Sequence, residues 1–221
     1  MTARIAILDY GIGNLRSAQK TLERVGADPV LTSDAAEVGA ADGVVLPGVG
    51  NFGRVMEAIR DVEVDVLAHK AIDAGTPFLG ICVGMQALYG ASEECPEVDG
   101  LGVLDGTVRR MNPNVKLPQM QWNQLSISEP SPLFTGIDDG SWVYFVHSYA
   151  PEATADVIAT CDYGGTVTAA VQKENVMATQ FHPEKSGAVG VQIIANFAAL
   201  CARRSGSQDF GVGTSTGRVD E

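Results

Sequence analysis

The first ninety residues alternate between short apolar runs and stretches with helical periodicity. The runs at residues 4–9 and 77–81 have the length and continuity of strands that are buried on both faces. After the first run, Leu15, Ala18 and Leu22 recur at helical spacing. Strands that alternate with helices predict a parallel sheet with right-handed crossovers, which is a doubly wound α/β arrangement. In such a sheet, ligands bind beyond the carboxyl ends of the strands.

After residue 93 the pattern changes to short β-rich runs that are separated by Gly, Pro, Asn and Asp. These runs cover residues 103–110, 142–149, 157–161, 167–171 and 175–181. They predict antiparallel strands that extend or flank the first sheet, followed by a closing amphipathic helix over about residues 189–203. The predicted fold is therefore α/β, with a mostly parallel central sheet, helices on both faces and an antiparallel extension. Residues 1–204 are predicted to form one domain. Residues 205–221, which are rich in Gly, Ser and Thr, are predicted to form a disordered tail.

Composition excludes several classes of protein. The 221 residues carry a formal net charge of −12, which argues against a nucleic-acid or anionic-membrane partner. No apolar stretch reaches the roughly 18 residues that span a bilayer, and the N-terminus has no signal-peptide pattern. The four cysteines lack the spacing of a metal site or a disulfide framework. We therefore expect a cytoplasmic protein without metal or cofactor.

One cysteine lies between two glycines where an apolar run meets a helical pattern. Gly80, Cys82 and Gly84 form the pattern Gly-x-Cys-x-Gly. This is the strand–turn–helix signature of a nucleophile elbow, with cysteine in place of serine. The turn holds the nucleophile in a strained conformation above a sheet, and small flanking residues allow a close approach of the chain to itself. Cys82 is therefore the predicted nucleophile.

A thiol nucleophile needs a base at neutral pH, and the usual base is histidine. The chain has three histidines. His69 lies in a helical pattern and is predicted to be a solvated surface residue, whereas His147, within a predicted strand, stays open as the base. His182 ends a predicted strand, and Glu184 follows two residues later, where its carboxylate can orient the imidazole. Cys82, His182 and Glu184 are the predicted triad.

An acyl-transfer site also needs N–H donors for the oxyanion of its tetrahedral intermediate. The backbone N–H of Val83, directly after the nucleophile, is the first predicted donor. The loop at residues 47–50, Pro-Gly-Val-Gly, follows another predicted strand and is placed to supply the second donor through Val49. Its glycines would let that peptide reorient. The loop could instead be a glycine-rich β–α turn that has only a structural role, and this alternative stays open.

Two of these motifs together resemble the triad-type (class I) glutamine amidotransferase family. They are Gly-Ile-Cys-Val-Gly-Met-Gln at residues 80–86 and Phe-His-Pro-Glu at residues 181–184. The resemblance implies a flavodoxin-like sheet and an attack of Cys82 on the side-chain amide of glutamine, with His182 as base and then acid. Ammonia leaves, a γ-glutamyl thioester forms, and water releases glutamate. The resemblance further implies that glutamine is bound by Gly48, Gly50, Gln86, Ser148 and Tyr149.

Four stretches narrow the resemblance to one branch of that family. Residues 46–53, 116–123, 145–149 and 182–186 are together similar to the glutaminase subunits of imidazole glycerol phosphate synthases. By that resemblance the partner is the cyclase subunit, a (β/α)8 barrel. It uses the ammonia to convert the ribulosyl intermediate PRFAR into imidazole glycerol phosphate and AICAR in histidine biosynthesis.

The resemblance also implies a docking surface and a control of activity. Asn14, Trp122 and Lys185 match positions at the docking surface, with Trp122 as an aromatic anchor. A glutaminase that ran without its partner would waste glutamine. The oxyanion loop is therefore expected to be inactive until the cyclase binds its substrate.

Other interpretations stay open at this point. The chain could serve another synthase, for pyridoxal phosphate or anthranilate, although residues 47–53 and 116–123 speak against it. It could also be a stand-alone cysteine peptidase or thiol hydrolase, in which Gln86 has no evident role. Intact Cys82, His182 and Glu184 disfavour a non-enzymatic binding module.

Overall fold

An eight-stranded sheet runs through the computed structural model, which describes residues 2–208. Within these residues the strands are β1 (Arg4–Leu8), β2 (Asp28–Thr32), β3 (Gly43–Gly48), β4 (Phe78–Cys82), β5 (Tyr89–Ser92), β6 (Leu104–Arg110), β7 (Gln119–Gln124), β8 (Ser126–Ile127), β9 (Trp142–His147), β10 (Tyr149–Pro151), β11 (Val157–Asp162), β12 (Thr166–Lys173) and β13 (Val176–Thr179). The helices are α1 (Leu15–Arg24), α2 (Ala35–Gly39), α3 (Phe52–Asp61), α4 (Val64–Asp73), α5 (Val83–Ala87) and α6 (Gly187–Gln208). Short 3-10 turns cover Pro132–Phe134 and Pro183–Lys185.

The strand order of the large sheet is β2-β1-β3-β4-β13-β12-β11-β8. The neighbours from β2 to β13 are parallel, and those from β13 to β8 are antiparallel. This arrangement confirms the predicted sheet with its antiparallel extension. Because β2 and β3 lie on opposite sides of β1, right-handed crossovers place α1 and α2 on opposite faces. Accordingly, α1 packs against α6, whereas α4 packs against α2 and α3.

The central strands are short because they need only cross the core. Every residue of β3 and β4 is buried, as expected for parallel strands covered by helices on both faces. Two smaller sheets flank the large one, with the orders β10-β6-β5 and β7-β9. The antiparallel pair β7 and β9 lies near the end of β4, since Val146 and His147 of β9 line the same cavity as Cys82.

The sequence pattern differs from the structure in three places. The helix after Cys82 ends at Ala87 and is followed by β5, whereas the pattern extended it to about Tyr89. Strand β7 lies in a Gln- and Asn-rich stretch that carries no strand signal. Helix α6 runs from Gly187 to Gln208, and the remainder of the predicted tail, 209–221, lies outside the described residues. Over residues 2–208, no helix combines the length and apolarity that a membrane crossing requires.

Candidate active site

Cys82 is the last residue of β4 and immediately precedes α5. Its backbone has φ +55° and ψ −113°, a conformation that L-residues rarely adopt. Such a residue costs about 1–3 kcal/mol and persists only where the surroundings enforce it. The thiol is 3% exposed and lines a cavity of about 600 Å³. The elbow thus presents the sulfur to this cavity at the carboxyl edge of the sheet.

Gly84 is required by the packing of the elbow against β3. A Cβ atom added at Gly84 would lie 1.9 Å from the carbonyl oxygen of Leu46. We therefore expect Gly84→Ala to lower the free energy of unfolding by about 3 kcal/mol, because a central strand would have to shift. Denaturant unfolding measures this change, with Gly39→Ala as the control, since a Cβ at Gly39 meets nothing within 4 Å. Equal midpoints for Gly84→Ala and the unchanged chain would contradict the expectation.

His182 lies beside Cys82 because each residue is at the end of a strand, and the two strands are neighbours. Strand β13 pairs in parallel with β4, with Thr179 opposite Ile81. Its backbone N–H donates to the carbonyl of Tyr144 at 3.0 Å, which fixes the chain at the strand end. The imidazole Nδ1 lies 2.8 Å from Oε1 of Glu184, and both side chains are nearly fully buried. The 3-10 turn Pro183–Lys185 folds Glu184 back towards the imidazole. The structure therefore brings the three predicted triad residues together.

Opposing effects act on the pKa of His182. Burial lowers it, but the nearby sulfur of Cys82, the hydrogen bond to Glu184 and the charges of both groups have a larger, opposite effect and raise the pKa to about 9. The imidazolium form of His182 therefore predominates at neutral pH, as expected for a histidine that is paired with a cysteine sulfur before substrate binds. Since an unfolded histidine has a pKa of 6.5, this protonated site stabilises the fold fully below pH 6.5. That stabilisation is lost as the pH rises through about 9.

We expect Cys82→Ala to lower the pKa of His182. Without the sulfur, burial is opposed only by Glu184. Histidine NMR titration of the isolated chain measures both values, and exposed His69 provides an internal control. A pKa for His182 that is the same with and without the sulfur would show that the two side chains are not coupled.

The predicted oxyanion loop lies directly beside the nucleophile. Gly48 ends β3 and pairs with Cys82 across the sheet. A Cβ at Gly48 would lie 2.5 Å from the backbone nitrogen of Gly84, so this close approach needs glycine. Gly50 has φ +95°, and Val49 and Val83 both line the cavity with Cys82. Both predicted oxyanion donors are thus at the site, on the two strand ends nearest to the sulfur.

Most of the predicted glutamine-binding residues line the same cavity. These are Gly50, Gln86, Ser148 and Tyr149. Gly48 does not line it and instead packs against the elbow. The side-chain amide of Gln86 is buried, and its Nε2 donates to the carbonyl oxygen of Tyr149 and to Oε1 of Gln180, both at 3.0 Å. Among the described residues, Oε1 of Gln86 has no hydrogen-bond partner.

His147, the alternative base, has the wrong environment for that role. It is buried on β9 and lines the cavity, and burial lowers its pKa to about 4, with a smaller contribution from the charge of His182. Its Nδ1 lies 2.8 Å from the carbonyl oxygen of Tyr149, so the neutral ring donates there. No carboxylate orients it among the described residues. The geometry favours His182 as the base.

Glu94 is a cavity residue that sequence reasoning missed. Its Oε2 accepts a hydrogen bond from the backbone N–H of Phe52 at 2.7 Å, at the first residue of α3. Among the described residues that line the cavity, it is the one carboxylate. It follows β5, a strand that the pattern did not predict, so nothing in the local sequence placed it near Cys82.

Two of the three predicted docking residues lie at the cavity. Asn14 and Lys185 line it, and Nδ2 of Asn14 lies 3.4 Å from Oε1 of Glu184. Trp122 does not line the cavity. It lies on β7, 46% exposed, edge-on to Tyr144 at 6.1 Å between ring centroids.

An exposed apolar face surrounds Trp122. Paired positions on β7 and β9 bring Met120 opposite Val146 and Trp122 opposite Tyr144. Met120 is 63% exposed, and Trp142, on the same strand face as Tyr144, is 53% exposed. We call Met120, Trp122, Trp142, Tyr144 and Val146 the ribbon face. Aromatic residues exposed together in this way are typical of a protein-binding surface.

Comparison with known proteins agrees with the geometry of the site. The family model described as glutamine amidotransferase class-I matches residues 6–201. Curated proteins named imidazole glycerol phosphate synthase subunit HisH are similar over nearly their whole length. The protein from Bacillus cereus is 43% identical over 92% of this chain and 98% of its own. Those from Methanosarcina mazei and Thermosynechococcus vestitus are 47% and 50% identical over 90% and 89% of this chain, and 99% and 96% of their own.

Solved structures share the fold at low sequence identity. PurLQS from Thermotoga maritima matches with a TM-score of 0.71 and 20% identity, over 92% of this chain and 99% of that chain. The glutaminase domain of CTPS from Trypanosoma brucei, with bound acivicin, matches with a TM-score of 0.66 and 19% identity, over 91% of this chain and 94% of that chain.

Proposed function

The chain belongs to the class I glutamine amidotransferase family, and on this premise we propose that it is the glutaminase subunit of an imidazole glycerol phosphate synthase. The observation that carries the proposal is the identity of 43–50% to proteins named as that subunit, over nearly their whole length. The joint placement of Cys82, His182 and Glu184 at one cavity supplies the chemistry. The enzyme hydrolyses glutamine to glutamate and ammonia.

The reaction begins with the sulfur of Cys82 and the imidazolium of His182. The sulfur attacks the side-chain amide carbon of glutamine, and the backbone N–H groups of Val83 and Val49 donate to the oxyanion that forms. His182 gives its proton to the amide nitrogen, the C–N bond breaks, and ammonia leaves a γ-glutamyl thioester. His182 then accepts a proton from water, which attacks the thioester. The C–S bond breaks, and the electron pair returns to sulfur as glutamate forms.

The cavity offers a carboxylate to the α-ammonium group of glutamine and neutral polar groups to the rest of the substrate. Gly50, Gln86, Ser148 and Tyr149 bind the substrate, and Gly48 supports the loop that covers it. Glu94 lines the cavity with one oxygen held by the backbone N–H of Phe52, and it accepts the α-ammonium group. A carboxylate that is fixed in this way recognises an amino acid and disfavours a simple amide.

The partner in this proposal is the cyclase subunit, a (β/α)8 barrel that converts PRFAR into imidazole glycerol phosphate and AICAR. It docks on Asn14, Trp122 and Lys185 and on the ribbon face, where exposed aromatic residues need a cover. Ammonia becomes protonated in bulk water and is then no longer a nucleophile, so a closed interface over the cavity mouth keeps it reactive. The four free cysteines agree with a reducing, cytoplasmic location for this complex.

The oxyanion loop is the element through which the partner controls the rate. Val49 is a non-glycine residue between Gly48 and Gly50, so a reorientation of its peptide needs the freedom of both glycines. We propose that the peptide turns its N–H towards the cavity only when the cyclase has bound its substrate. The isolated chain then hydrolyses glutamine slowly, because one oxyanion donor is missing.

One experiment separates this function from its alternatives. Glutamate release is measured for the chain alone, with the cyclase subunit, and with the cyclase subunit and PRFAR. Stimulation by both additions supports the proposal, and removal of one oxyanion donor sets its scale at about 10²–10³-fold. A rate that neither addition changes would favour a stand-alone hydrolase. Stimulation by the synthase partner for pyridoxal phosphate or anthranilate instead would reassign the pathway.

A further inference from the structure

A second buried amide lies against the nucleophile. Gln180 follows β13, two residues before His182, and its side chain is fully buried. Its Nε2 lies 3.8 Å from the sulfur of Cys82, within the range of a hydrogen bond to sulfur. We propose that Gln180 is a further catalytic residue, which donates to the Cys82 sulfur, and that Gln86 is the positioning residue that orients it. This inference rests on the proposed function and deepens it.

The orientation of the Gln180 amide follows from a fixed acceptor. The carbonyl oxygen of Tyr149 can only accept, so Gln86 must present Nε2 to it. The same Nε2 also lies 3.0 Å from Gln180, and therefore the Gln180 atom at that position must be its acceptor, Oε1. The donor Nε2 of Gln180 is thereby left facing the sulfur of Cys82. Gln86 thus donates both to the Tyr149 carbonyl and to Gln180, and Gln180 in turn donates to the nucleophile.

A donor at this place favours the negatively charged sulfur. His182 provides one positively charged neighbour, and the Gln180 amide provides a neutral donor that needs no proton transfer. The donor has its largest effect when sulfur carries charge: before attack on the amide, and again when the C–S bond of the thioester breaks and the electron pair returns to sulfur. In the thioester itself the sulfur is neutral, and the contact is weak. The amide therefore assists both halves of the reaction.

The competing explanation is that Gln180 merely satisfies Gln86 in a buried polar pair. The two explanations differ in their pH dependence. If the amide stabilises charged sulfur, its removal matters at neutral pH and not at pH 10, which lies above the pKa of about 8.5 of an ordinary thiol. If it only packs, its removal acts equally at both pH values. Alkylation of Cys82 by iodoacetamide, followed by mass spectrometry of the Cys82 peptide, reports this difference without glutamine or a partner.

The chain offers a matched control for the substitution Gln180→Met. Gln119 is also fully buried, and its Nε2 lies at the same 3.8 Å from a different sulfur, that of Cys161. We expect Gln180→Met to slow alkylation of Cys82 about tenfold at pH 7 and to leave it unchanged at pH 10. Gln119→Met should leave both rates unchanged. Gln180→Glu, which keeps the shape but replaces the donor by a carboxylate, should slow the reaction at pH 7 at least as much.

Two results would overturn the inference. One is an unchanged rate at pH 7 in both Gln180 variants, and the other is an equal slowing at pH 7 and pH 10. Thermal unfolding of each variant identifies any that fails to fold, and the second substitution then decides. Because alkylation needs neither substrate nor cyclase, its outcome is separate from the proposed function. That function fails if the unchanged chain with cyclase and PRFAR releases no glutamate, whatever the alkylation rates are.

Discussion

Cys82→Ala should abolish glutamate release by the complex, with a loss of at least about 10⁴-fold. The substitution removes the atom that forms the thioester, and no other cysteine lines the cavity among the described residues. Alanine keeps a Cβ on the same strained backbone, so the fold should be retained. Steady-state glutamate release in the presence of the cyclase subunit and PRFAR measures the loss.

The control for Cys82→Ala is the activity of the complex with added ammonium salt. Supplied ammonia bypasses Cys82, so the cyclase in the variant complex should convert PRFAR at the normal ammonia-dependent rate. Retention of glutamine-dependent activity in the variant would show that the reaction does not pass through Cys82.

Trp122→Ala should weaken binding of the cyclase subunit about 30-fold. Trp122 is exposed at the centre of the ribbon face, with Met120 and Trp142 on either side along the paired strands. Truncation of a central aromatic anchor typically costs about 2 kcal/mol or more, which corresponds to this factor. Titration of the cyclase subunit, followed by calorimetry or by stimulated glutamate release, measures the affinity.

Val66→Ala is the control for the docking prediction. Val66 is 43% exposed on α4, a helix that does not contribute to the ribbon face. Its loss should leave the affinity unchanged. Excess cyclase subunit should restore the maximal rate of Trp122→Ala, because the triad is intact. A Trp122→Ala variant that binds as tightly as the unchanged chain would place the docking surface elsewhere.

Much of the architecture could be predicted because each buried parallel strand is a short, continuous apolar run in the sequence. Apart from exposed Arg4 at the start of β1, the strands β1, β3 and β4 are apolar and buried, since both faces of each strand are covered. Elements with mixed surroundings were harder to predict. Strand β7 is polar, because most of its side chains are exposed, and it forms a strand only through its pairing with β9. Trp122, a large side chain of a type that is mostly buried in proteins, is exposed for the same reason.

The same limit on prediction applies to single residues of the site. Residues within a local motif could be identified, whereas residues placed by contacts with distant parts of the chain could not. Cys82, His182 and Glu184 belong to short motifs, and their chemistry could be inferred from residue type and spacing. Glu94 and Gln180 lie at the site through contacts across 42 and 98 residues, with Phe52 and Cys82 respectively. No periodicity or spacing encodes such a contact. For Gln86, the sequence suggested substrate binding, whereas the structure adds a hydrogen bond to Gln180 that only three-dimensional packing could reveal.

The transfer of nitrogen between subunits tests the central claim most directly. The complex is supplied with PRFAR, with glutamine that carries ¹⁵N in its side-chain amide, and with an excess of unlabelled ammonium salt at neutral pH. We predict that the imidazole product carries ¹⁵N almost completely, because ammonia released at Cys82 passes to the cyclase without mixing with the solvent. Product that is labelled only in the proportion of the bulk ammonia would contradict this account.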